Sequence, residues 1–99
     1  MVTQEQVVDA LHTVEDPELG MDIVELGLFY DAEIDGEKVK IIHSLTSMGC
    51  PAGPMIQEDI HNAVAALAGV EEVDVELTFD PAWTPDRMSE DAKFILGFG

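Results

Sequence analysis

The sequence is short of positive charge, cysteine and long apolar runs, and each shortage narrows what the chain can be. Only Lys38, Lys40, Arg87 and Lys93 are basic, against 21 acidic residues, for a net charge of −17. Nucleic acid and anionic membrane are polyanions, so this surface opposes both as partners. No apolar stretch approaches the roughly 20 residues that a membrane span needs. The lone Cys50 excludes an internal disulfide and an intrachain four-cysteine metal site. The opening residues, Met1 to Glu5, carry neither the basic nor the apolar region of a secretory signal. The cytoplasm is therefore the expected compartment.

What is present suits one globular domain spanning residues 1–99. Hydrophobic residues make up 46% of the chain. That content supports one modest core, burying about 60–65% of the unfolded surface. The acids are spread along the whole chain rather than gathered in a tail. A dispersed excess of this size implies a surface adapted to strong salt, as in a halophile protein, because self-repulsion weakens as salt screens it.

Thr3 with Gln6 fits a capping box. Val7, Val8, Leu11 and Val14 follow at helical spacing, so residues 4–14 read as an amphipathic helix, ended by Asp16-Pro17. Residues 18–27 read as a loop. Residues 28–34 and 39–45 read as strands joined through Asp35-Gly36, a strong hairpin signal. Val39, Ile41 and His43 share one face of the second strand. Residues 51–68 read as a second helix with Met55, Ile56, Ile60, Ala63, Val64 and Leu67 inward. Residues 73–79 alternate as a third strand, parallel to the second because a helix intervenes. Ser89 caps a short final helix reaching Leu96. The expected fold class is α/β (α+β): a three-stranded mixed sheet with helices packed on one face.

Chemistry concentrates in Thr46-Ser47-Met48-Gly49-Cys50-Pro51. Pro51 suits a first helical position, which puts Cys50 at the N-cap. There the free backbone N–H groups and the helix dipole favour thiolate over thiol. The competing reading is a buried structural cysteine, common for this residue type. Asp16-Pro17-Glu18 places two carboxylates on a stiff turn, which is also ordinary turn chemistry. His12, His43 and His61 show no ligand-like spacing and read as structural or solvated. Met48, Met55 and Met88 read as packing residues, and Trp83 as a packing anchor between Pro81 and Pro85.

These pieces occur together in a specific order. They are Asp16-Pro17-Glu18-Leu19, then Asp22 through Tyr30, then Thr46 with Gly49-Cys50-Pro51, then Phe79 through Pro85, then Met88-Ser89-Glu90. From Val7 to Leu96 the chain resembles the small metal–sulfur cluster assembly factors, whose members include SufT and the PaaD-type proteins. The resemblance implies an iron–sulfur assembly domain fold and a role in iron–sulfur protein maturation. It maps the family's acidic turn to Asp16 and Glu18, its threonine to Thr46 and its cysteine to Cys50. Ser47 stands where relatives often carry a second threonine, and keeps the hydroxyl.

The resulting expectation is a non-enzymatic accessory factor, with Cys50 as the reactive or metal-ligating residue and Asp16, Glu18, Thr46 and Ser47 lining its site. A transient iron–sulfur cluster is the implied cofactor. Assembly machinery, client apoproteins and a second copy in a homodimer are the implied partners. A thiol enzyme using Cys50 as nucleophile and an adaptor doing no chemistry are the alternatives.

Overall fold

The computed structural model describes residues 2–46 and 51–97. The first helix, α1, spans Gln4–Leu11. The Thr3 hydroxyl accepts from the Gln6 N–H, and the Gln6 side chain accepts from the Thr3 N–H, at 3.2 and 2.9 Å. This capping box contributes about 1 kcal/mol by satisfying donors that a helix start leaves free. Val7 and Leu11 form its buried stripe. The helix stops short of the expected residue 14. The Thr13 hydroxyl donates to the Ala10 carbonyl at 2.6 Å, and the Val14 carbonyl accepts from Ile23 at 2.9 Å. Those bonds compete with a further helical turn.

Two short strands follow, β1 at Glu15–Asp16 and β2 at Met21–Asp22, paired antiparallel. They correct the reading of Asp16-Pro17 as a bare helix stop and of residues 18–27 as a loop throughout. A two-residue strand shows no alternation for the sequence to display.

The main sheet holds β3 at Phe29–Asp35, β4 at Lys38–His43 and β5 at Glu72–Leu77, in the order β3-β4-β5. The β3–β4 pair is antiparallel and turns at Gly36, whose φ of +62° suits glycine. The β4–β5 pair is parallel, with Ile41 opposite Val75. Helix α2, Gly53–Ala65, supplies the crossover and packs on β5 and on α1. Val39 and Ile41 from β4 join Ile56, Ile60 and Val64 from α2, with Leu26 and Leu28, in the buried core. The α+β class and the three-stranded mixed sheet thus agree with the sequence reading.

Helix α2 starts later than expected. Its N-cap is Ala52 and Pro54 stands in the first turn, where a missing N–H costs nothing. This corrects the assignment of Pro51 to the first helical position and of Cys50 to the N-cap. Pro54, not Pro51, is the proline inside the helix. Met55 is 47% exposed, so it is not part of the buried stripe.

The last helix, α3, spans Glu90–Leu96, with the Ser89 hydroxyl accepting from the Ala92 N–H as its N-cap. The segment leading into it is fastened to residues 25–30. Trp83 Nε1 donates to the Leu26 carbonyl at 2.7 Å, Tyr30 Oη donates to the Pro81 carbonyl at 2.8 Å, and the Arg87 guanidinium lies 4.6 Å above the Tyr30 ring. A Cβ on Gly27 would collide with the Arg87 backbone carbonyl, so only glycine allows this close approach. Among the described residues no helix is long and apolar enough to cross a membrane.

Candidate functional site

Three backbone hydrogen bonds bring separate segments together at one end of the sheet. Ile23 donates to Val14 at 2.9 Å, Leu28 to Ile23 at 2.9 Å, and Ser44 to Leu28 at 2.8 Å. The acidic turn and the strand end leading to Thr46 therefore share the end opposite the Gly36 hairpin. The shallow concavity beside that hairpin, about 270 Å³ and lined by Glu33, Lys38, Lys40 and Glu72, is remote from the acidic turn.

Asp16 is completely buried. Its Oδ1 accepts from the Glu18 N–H at 2.8 Å, and its carbonyl accepts from Leu19 and Gly20, at 3.2 and 2.8 Å. The proline between Asp16 and Glu18 fixes φ and stiffens this turn. Asp16 Oδ2 is buried with no hydrogen-bond partner among the described residues. An unsatisfied buried acceptor costs about 1–3 kcal/mol, so Oδ2 favours a donor from beyond the described residues. Glu18, by contrast, is exposed and Thr46 half-buried. Ser47 and Cys50 lie outside the described residues, as does Met48.

His43 ends β4, three residues before Thr46, and is also completely buried. Its Nδ1 lies 3.2 Å from the Ser44 carbonyl, which can only accept, so Nδ1 carries the proton. Nε2 is then a bare acceptor, and it too is buried without a partner among the described residues. Burial lowers the pKa of this ring from the ordinary value of 6.5, and the bond to Ser44 offsets part of that shift.

Other polar contacts gather near β2. His12, at the C-terminal cap of α1, lies with Nδ1 3.1 Å from Asp22 Oδ1. The same oxygen accepts from the N–H groups of Val24 and Glu25, at 3.0 and 2.9 Å. Glu25 in turn accepts a hydrogen bond from the Ser89 hydroxyl through Oε2. None of these partners is visible in sequence spacing. His12 and Asp22 meet only because β1 and β2 reverse the chain between them. Glu25 and Ser89 are brought together by the fastening of the C-terminal segment.

Residues 4–76 match the family described as iron–sulfur cluster assembly protein. The chain is 45% identical over 95 residues to the Fe-S protein maturation auxiliary factor YitW of Bacillus subtilis, covering 95% of this chain and 93% of that one. It is 40% identical over 89 residues to an iron-sulfur cluster carrier protein of Synechocystis, covering 90% of this chain but 24% of that longer protein. A crystal structure from Bacillus anthracis, described as a domain of unknown function, superposes with a TM-score of 0.92 at 37% identity. That match covers 97% of this chain and 92% of that one. With the family match spanning most of its length, the chain belongs to the iron–sulfur cluster assembly protein family.

Proposed function

We propose that this protein is a non-enzymatic accessory factor that helps deliver iron–sulfur clusters to client apoproteins, with Cys50 as the residue that touches the cluster. The observation that carries the reading is Asp16. A carboxylate with one oxygen buried and unpartnered among the described residues is expensive in a stability element and reasonable in a binding turn. The relatives' designations as maturation auxiliary factor and cluster carrier point to the same role.

The cluster in this reading is cargo. A single thiolate cannot hold a [2Fe–2S] or [4Fe–4S] unit, which normally takes four protein ligands. Capture would therefore be shared with a carrier, a client, a small thiol or a second copy of the chain. In this reading Cys50 supplies one soft ligand, and Thr46 and Ser47 are the hydroxyl-bearing residues that precede it in sequence. Asp16 positions the acidic turn, and exposed Glu18 meets the partner. The chain acts as one domain, in the cytoplasm, in contact with assembly machinery and clients.

The experiment is maturation of an apo-enzyme that needs a [4Fe–4S] cluster, supplied by a loaded carrier with and without this protein. The wild type should raise the rate of activity recovery. Cys50→Ser should remove the gain. Asp16→Asn, which keeps an oxygen for the Glu18 N–H, should fold normally and lose most of it. Full activity of Cys50→Ser would leave an adaptor that does no chemistry.

A further inference from the structure

We propose that His12, Asp22 and Glu25 form a binding site for a divalent first-row transition-metal ion that does not use the thiol as a ligand. One donor atom from each of these residues lies within 4.8 Å of the other two. The imidazole distinguishes this group from the acidic patches expected on so acidic a chain. Nitrogen with carboxylate oxygen is a donor set suited to Zn²⁺, Fe²⁺ or Mn²⁺. The ion-pair contact of 3.1 Å between His12 Nδ1 and Asp22 Oδ1 already brings the ring and the carboxylate to the spacing of two ligands, and Asp22 Oδ2 is the oxygen to which neither Val24 nor Glu25 donates. Bonds near 2.0–2.2 Å at tetrahedral or octahedral angles put neighbouring ligands about 2.8–3.6 Å apart.

The surroundings prepare both carboxylates. Asp22 Oδ1 is held by the backbone N–H groups of Val24 and Glu25, and Glu25 Oε2 by the Ser89 hydroxyl. Each carboxylate is thus oriented by hydrogen bonds from its own neighbourhood, the outer-shell support that metal sites use. His12 caps the C-terminal end of α1, where carbonyl dipoles favour a cation. Asp22 and Glu25 are half-buried, which strengthens the attraction relative to open solvent. An ion here would join the end of α1 to β2 and, through Ser89, to the start of α3. The site does not depend on the cluster-delivery reading, and its test removes the thiol.

The test is calorimetric titration of the full-length Cys50→Ser protein with zinc chloride, repeated with manganese chloride, in 1 M KCl to screen diffuse counter-ion binding. The site predicts saturable binding of one ion per chain. His12→Gln, Asp22→Asn and Glu25→Gln should each weaken it at least tenfold. Asp22→Asn keeps an acceptor for the two N–H groups and Glu25→Gln keeps the Ser89 contact, while His12 is exposed, so all three should fold. Zinc should also raise the melting temperature of the Cys50→Ser parent and not that of His12→Gln. Absence of saturable binding, or equal affinity in the parent and all three variants, would overturn the proposal.

Discussion

His43 shows how one buried side chain sets an acid limit on the fold. In the folded chain the ring is neutral and enclosed, and its pKa lies below the ordinary 6.5. The unfolded chain therefore binds a proton that the folded chain refuses as pH falls below 6.5. By linkage, the ring contributes no pH dependence well above 6.5, and stability declines as pH falls from there toward the lowered value. Carboxylates ordinarily titrate at about pH 4, so a comparison of two proteins isolates the ring. His43→Leu should lose less melting temperature than the wild type between pH 7.5 and 5.5, measured by circular dichroism. Parallel pH curves for the two proteins would mean that His43 takes up a proton in place. At the same scale the sequence shows where its own reading stops. It singles out Asp16 as a site residue through the Asp-Pro-Glu turn. It does not show that the carboxylate is fully buried, because burial depends on the later pairing of β1 with β2.

The elements are legible where local chemistry and periodicity agree. The capping box of α1, the Gly36 hairpin and the Ser89 cap of α3 are each written in a few adjacent residues. The parallel β4–β5 pair follows from an intervening helix and a strand alternating Val73, Val75 and Leu77. The start of α2 is misplaced in the sequence reading because Pro51 suits a first helical position, whereas the observed Ala52–Ile56 bond and the Ala52 N-cap put that start later. The same limit hides β1 and β2, which exist through mutual pairing. Ser89 offers the element-scale test. Its hydroxyl caps α3 and also donates to Glu25, so Ser89→Ala removes both contacts. Loss of an N-cap costs about 0.5–2 kcal/mol, and in a domain of this size that lowers the melting temperature by several degrees. Ser89→Thr should retain most of it. Equal melting temperatures for Ser89→Ala and wild type would mean that the segment is held by contacts the hydroxyl does not make, those of Trp83 and Tyr30 and the Ser89 N–H donating to the Glu25 carbonyl at 2.8 Å.

Across the whole molecule, 21 acidic residues face four basic ones. The exposed face of the sheet pairs Lys38 with Glu72 and Lys40 with Glu76, at 3.3 and 3.4 Å. Exposed pairs of this kind contribute about 0–1 kcal/mol each and cannot offset a net charge of −17. Raising KCl from dilute to molar strength should therefore raise the melting temperature, through screening of repulsion among the acids. A melting temperature constant over that range would remove the halophile reading. The central claim is thiol-dependent cluster handling. Anaerobic reconstitution with iron and sulfide, in the presence of a small thiol and read by ultraviolet–visible spectra and native mass, tests it most directly. The account predicts cluster absorption and a cluster-bearing mass for the wild type, with both lost in Cys50→Ser. The same cluster bound equally by Cys50→Ser would contradict it.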